Sequence, residues 1–211
     1  MRKNFVVLFL VLVFMVVGAM VTNFAFAAPA ITFTNPKSGN EISNVTTLAG
    51  WQFTVNSNVT VNSLGFYDED NLYGTNWSHE VGIYDVTTQA LVVSGVVTPS
   101  GTYNSWFMWT SVTPTALTAG NTYDIVAFVG SDMRTWDPVG FTVNPNITYV
   151  GNVWANGATS LQFPIDTDTN ANGYFGPNFG IAASSVPEPA TMLLLGLGLV
   201  GLAGAKRKLN K

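Results

Sequence analysis

The chain has 211 residues, of which 47% are hydrophobic and only 9% charged, far below the roughly one quarter usual in soluble domains. Its charges are segregated: among the cations only Lys37 and Arg134, and among the acids all but Glu188, fall within residues 28–185. This acidic middle excludes a nucleic-acid binder, which needs a basic patch, and the lack of cysteine excludes disulfide staples and thiolate metal sites.

Met1-Arg2-Lys3-Asn4 opens the chain and an apolar run from Phe5 to Val17 follows. Ala25-Phe26-Ala27 then supplies small residues at the two positions that signal peptidase reads, Ala25 and Ala27. Basic, apolar and small-residue segments in this order predict a Sec signal peptide over 1–27, with the Sec translocon and signal peptidase as partners and Ala28 as the mature N-terminus.

Residues 28–185 are punctuated like an all-β domain, with short apolar or alternating runs between Asn, Gly, Pro, Ser and Thr clusters. Strands are expected over 31–34, 50–55, 59–67, 80–85, 91–97, 105–112, 122–129, 140–143, 147–153, 160–163 and 179–182. Alternation is clearest at Trp51, Phe53, Val55 and at Tyr123, Ile125, Ala127, Val129. No segment carries a helical period. Short strands at this spacing predict a β-sandwich, jelly-roll-like rather than immunoglobulin-like.

Within that domain His79 is the only histidine. Ser78 beside it and Asp85 beyond raise a Ser–His–Asp triad, but neighbouring strand residues point to opposite faces and no nucleophile elbow is present. His79 shares parity with Val81 and Ile83, which aims it inward as a structural residue. No catalytic residue is expected, and one His without Cys cannot hold zinc.

Two acidic loops offer the oxygen ligands that calcium takes. One is Asp68-Glu69-Asp70; the other holds Asp166, Asp168, Asn170 and Asn172. In the second, Asp168, Asn170, Asn172 and Gly173 match the start of an EF-hand loop. Phe179 then falls where a bidentate Glu is required, which leaves only a looser cage. Asp and Asn also fill ordinary turns. Calcium is therefore the one cofactor these residues raise. Trp77, Trp106, Trp109, Trp136 and Trp154 are the other candidates, because aromatics on a sandwich face can stack on sugar rings. Packing in the two-layer core is the plain alternative.

The C-terminal segment, 186–211, begins with Val186-Pro187-Glu188-Pro189. The uncharged run Ala190 to Ala205 follows, and Lys206-Arg207-Lys208 leads to the chain end. As a helix, 190–205 would reach about 24 Å, slightly short of a ~30 Å hydrocarbon core, and lysine snorkelling covers the difference. This predicts a transmembrane helix with its basic cluster in the cytoplasm and the β domain outside.

The order of Pro-Glu-Pro, apolar run and basic tail resembles the PEP-CTERM sorting signal of Gram-negative bacteria. The resemblance implies processing by an exosortase near Val186–Pro189 and delivery to the cell surface or an exopolysaccharide matrix. Further upstream, Gly50-Trp51-Gln52-Phe53, Leu64-Gly65-Phe66-Tyr67-Asp68 and Ser78-His79-Glu80-Val81-Gly82-Ile83-Tyr84-Asp85 are similar to an uncharacterised β-sandwich domain of bacterial surface and PEP-CTERM proteins. That likeness implies the fold and no activity. The expected function is a non-enzymatic structural or interaction role outside the cell; the alternative is a carbohydrate-binding module acting on extracellular polysaccharide. If the leader is read as above, N-terminal sequencing of envelope material returns Ala28-Pro29-Ala30; recovery of Met1 would refute the cleavage site.

Overall fold

The computed structural model describes residues 27–36, 41–42, 47–68, 77–130, 133–135, 137–169 and 173–182. The expected signal peptide, apart from Ala27, and the whole expected sorting tail lie outside the described residues. Among the described residues there is no helix, and so none long and apolar enough to cross a membrane.

The strands in chain order are β1 (Ala28–Pro29), β2 (Ile31–Thr32), β3 (Glu41–Ile42), β4 (Thr47–Val55) and β5 (Val59–Tyr67). Next come β6 (His79–Asp85), β7 (Leu91–Val97), β8 (Thr102–Asn104), β9 (Phe107–Leu117) and β10 (Thr122–Gly130). The last are β11 (Met133–Arg134), β12 (Thr142–Val143), β13 (Ile147–Asn156), β14 (Asp166–Asp168) and β15 (Pro177–Ile181). Two antiparallel sheets carry most of them. One has the order β1-β15-β5-β9-β8 and the other β14-β13-β4-β10-β6-β7, while β2-β12 and β3-β11 are separate two-stranded ribbons.

Alternation decides which side chains meet between the sheets. Trp51, Phe53 and Val55 of β4 and Ile125, Ala127 and Val129 of β10 point inward and are almost wholly buried. From the other sheet Leu64, Phe66 and Phe179 meet them, also fully buried. Phe179 stacks on Trp51 at 5.8 Å and sits 4.8 Å from Phe53. The Trp51 indole N–H donates to the Pro177 carbonyl at 2.9 Å, so the buried ring also bonds across the interface.

Both outer faces are partly covered as well. On the five-stranded sheet the register puts Tyr67, Phe107 and Trp109 opposite to Leu64 and Phe66. Phe33 packs there, 6.2 Å from Tyr67 and 5.6 Å from Phe107. Asn178 clamps the covering segment: the Ile31 N–H donates to its Oδ1 at 3.3 Å and its Nδ2 donates to the Ile31 carbonyl at 3.0 Å. On the six-stranded sheet Leu48, Tyr84, Val126, Val153 and Ala155 form a second apolar cluster, covered by Ala158, Leu161 and Phe163.

Several expected strands change. Residues 160–163 form no strand; Leu161 and Phe163 alternate because they pin a covering segment through side chains, without ladder hydrogen bonds. The strand expected at Ser105 begins at Phe107, because Ser105 and Trp106 have φ of 53° and 72° and make a two-residue hairpin loop. It then runs on to Leu117 past Pro114, which falls where the register with β5 shifts and no ladder donor is needed. The short polar strands β8 and β14 carry no apolar alternation and were not expected.

The two ends of the sandwich differ. Turns 56–58, 86–90, 118–121 and 144–146 close one end, and 98–101, 105–106 and 157–165 connect strands at the other. Close backbone approach is greatest at Gly50 in β4, where a Cβ would run into the Ile125 carbonyl of β10. At Gly120, by contrast, space is open but φ is +85°. Gly50→Ala should therefore cost about 3 kcal/mol of unfolding free energy and Gly120→Ala about 1 kcal/mol. Urea titration of both variants ranks them; the reverse ranking would refute the β4–β10 packing.

Candidate functional site

The end opposite these turns collects most of the side chains that the sequence singles out. Asp68 follows β5 directly and is fully buried, its N–H donating to the Trp106 carbonyl at 2.9 Å. Trp106 sits at the tip of the β8–β9 hairpin in the left-handed region, which is costly for a bulky residue. The hairpin is held from below, where Trp109 Nε1 donates to the Asn104 carbonyl at 3.0 Å. Trp109 faces away from the inter-sheet core, yet it is buried, its ring lying over Gly65. Tyr103 beside it is 45% exposed.

At the start of β6, His79 is buried and its ring stacks on Phe66 at 3.7 Å, with Trp77 at 5.3 Å. His79 Nδ1 lies 3.0 Å from the Phe128 carbonyl. A carbonyl only accepts, so the proton sits on Nδ1. Asp85 lies at the far end of the same strand and accepts from Thr88 at 2.8 Å, an arrangement that lowers its pKa. The structure does not bring Asp85 and His79 together.

Asp166 and Asp168 form β14 opposite Trp154 and Asn152 of β13. The Tyr149 hydroxyl donates to Asn152 Oδ1 at 2.7 Å, and the Tyr174 N–H donates to the same oxygen at 3.0 Å. Burial, with Asp168 nearby, pushes the Tyr149 phenol up to about 12. Trp154 packs edge-on to Tyr174 at 5.6 Å. Glu69, Asp70, Asn170 and Asn172, the remaining candidate calcium ligands, lie outside the described residues, as does Trp136. Among the described residues no three His, Asp or Glu side chains come close enough to hold a metal ion.

Ala27, the one described residue of the expected cleavage site, is 8% exposed and precedes β1. Ala25, the motif residues Val186, Pro187, Glu188 and Pro189, and the cluster Lys206, Arg207 and Lys208 lie outside the described residues. The comparison with known families decides the tail: the model described as "PEP-CTERM protein-sorting motif" matches residues 185–208. This chain carries a PEP-CTERM sorting motif. A motif of this kind implies export, a membrane-anchored precursor and an exosortase as processing partner. No curated protein matches the sequence. Among solved structures, "Xyl-CBM35 in complex with glucuronic acid containing disaccharide" is similar, at 15% identity over 66% of this chain and 96% of that one. The TM-score is 0.28, too low to bear on what this domain binds.

The exported domain of this PEP-CTERM chain also holds a carboxylate that the sequence does not mark. Asp124 of β10 lies on the outer face of the six-stranded sheet, 2% exposed, and accepts from Gln52 Nε2 at 2.9 Å. Burial outweighs that bond and raises its pKa to about 6. The unfolded carboxyl titrates near ~3.9, so the fold holds the proton more tightly than the open chain does. The associated stability is complete below about pH 4 and is lost as pH rises through about 6. Asp124→Asn keeps an oxygen for Gln52 and removes the buried charge. It should stabilise the domain by on the order of 2 kcal/mol at pH 8 and hardly at all at pH 4. Thermal melts at the two pH values decide; an equal effect at both would refute the buried-charge account.

Proposed function

We propose that this chain is a Sec-exported, exosortase-sorted protein of the Gram-negative cell surface or exopolysaccharide matrix, and that its β domain has a non-enzymatic structural or interaction role. The observation that carries this reading is the PEP-CTERM match at 185–208, directly after the last described residue of the sandwich, Ala182. In this reading residues 1–27 are the signal peptide, 28–185 the domain and 186–211 the sorting signal, with 190–205 as the transmembrane helix. We read the domain as a jelly roll. Supporting this, β1-β15-β5-β9 face β4-β10-β6-β7, and all seven consecutive steps among these eight strands follow the two-Greek-key path once β13 and β14 are set aside as an added edge, six crossing between the sheets and β6–β7 staying within one.

A carbohydrate-binding role is the second reading. Its support is the β8–β9 hairpin, where Trp106 at the tip is held in a costly left-handed conformation and Tyr103 of β8 is exposed. Strain retained at a loop tip is a reason to look for function there. A glycan array probed with mature protein and with Trp106→Gly separates the readings, because glycine relieves the strain while removing the ring.

The sorting step has its own test. Changing Pro187, Glu188 and Pro189 to Ala extends the apolar helix outward and removes the recognition element. The triple variant should insert and then accumulate uncleaved in the inner membrane, while wild type loses Lys211. Fractionation with C-terminal mass spectrometry reads both. Normal processing of the variant would reduce Val186–Pro189 to a linker.

A further inference from the structure

Both ends of the described chain leave the sandwich side by side. Ala28 of β1 pairs with Ile181 of β15, and the Ala182 N–H donates to the Thr60 carbonyl near the start of β5. That is the end closed by the short turns. These turns are tied to one another: the Asn56 N–H donates to the Asn146 carbonyl at 2.8 Å, the Ala119 N–H to Asn58 Oδ1 at 2.8 Å, and Ser57 Oγ to Asn146 Oδ1 at 2.7 Å. Ala182, the last described residue before the sorting tail, thus lies beside a hydrogen-bonded plate.

The plate is uncharged. Its turns, 56–58, 86–90, 118–121 and 144–146, are built of Asn, Ser, Thr, Gln, Gly, Pro, Val and Ala without one charged residue. Half-buried Asp85 stands at their margin, whereas the exposed Glu80 and Asp166 sit toward the opposite end. A bilayer surface rich in anionic lipid repels acidic groups within a Debye length, roughly 8–10 Å. An acidic domain tethered to it is driven to turn its uncharged end inward. The tether is short: from Ala182 to Pro187 the chain spans at most about 17 Å.

We propose that the anchored precursor stands on its short-turn end, with the Asn56–Asn58 and Asn144–Asn146 turns at the lipid headgroups and the Tyr103–Trp106 hairpin facing outward. This rests on the membrane-anchored reading above and adds which surface of the domain is available to extracellular partners. Strands of nine residues, such as Val59–Tyr67, hold the outward end about 30 Å farther from the bilayer.

The chain contains no cysteine, which makes single-site labelling direct. Ser57→Cys marks the short-turn end and Ser100→Cys the opposite end; both serines are exposed. Each full-length variant is spin-labelled and reconstituted in phosphatidylethanolamine–phosphatidylglycerol liposomes doped with a nickel-chelating lipid. Thermal melts matching wild type certify the fold. Collision with headgroup nickel should be about fivefold or more faster at residue 57 than at residue 100, given the ~30 Å between the ends. Equal rates, or the faster rate at 100, would overturn the orientation. Failure of the unlabelled chain to float with the liposomes would instead overturn the anchored reading, and the orientation with it.

Discussion

Trp51 is the contact on which the sandwich depends. It lies in a central strand of one sheet, stacks on Phe179 of the other, and donates its indole proton to the Pro177 carbonyl beyond. Phe175 meets it edge-on at 6.3 Å and Phe53 at 5.3 Å. No disulfide joins the sheets, so dispersion and apolar burial must hold them in register. A buried aromatic of this size is worth about 3–5 kcal/mol against alanine, a large part of a domain's net stability of roughly 5–15 kcal/mol. Its N–H bond also fixes the height of β15, and through β15 the position of β1.

The paired strands with clean alternation were readable because period two leaves the same mark wherever one face is dry. Val59–Tyr67 and Leu91–Val97 have the expected limits, and β4 and β10 are longer than expected by only a few residues. The failures have one cause. Leu161 and Phe163 alternate like a strand yet belong to a covering segment, and Trp109 is buried on a face that a plain sandwich would leave wet. Alternation reports which side chains are dry. It cannot tell a second sheet from a strap of irregular chain. The all-polar β14 escaped notice for the converse reason, since edge pairing needs backbone groups and no apolar pattern.

The candidate site was legible in part. His79 faces inward, as its parity with Val81 and Ile83 requires, because Phe66 offers it a stacking surface and Phe128 a carbonyl. Asp68 looks like an ordinary turn acid in sequence, but the hairpin tip closes over it and buries it. Asp124 gives no signal at all. Its neighbours Tyr123 and Ile125 predict that it points outward, and it does; only the covering of that outer face turns an outward carboxylate into a buried one.

Partial covering of both outer faces shifts attention to the ends. The ends are unequal in the way a tethered module requires. At the tail end, turns of three to five residues are bonded to each other through Asn56, Asn58 and Asn146, and such short connections tolerate little change. At the other end the two-residue β8–β9 loop carries the strained Trp106, and Tyr103 on the strand before it is exposed. A chain delivered by its C-terminus can have its distal loops altered without disturbing the strand that connects it to the sorting signal. The same separation explains the segregated charge. Glu80 and Asp166 are exposed toward the end away from Ala182, while all cations but Lys37 and Arg134 lie in the terminal segments, at 2–3 and 206–211. Placed on the turns beside Ala182, the same acids would push the domain away from the surface against which its motif must be read.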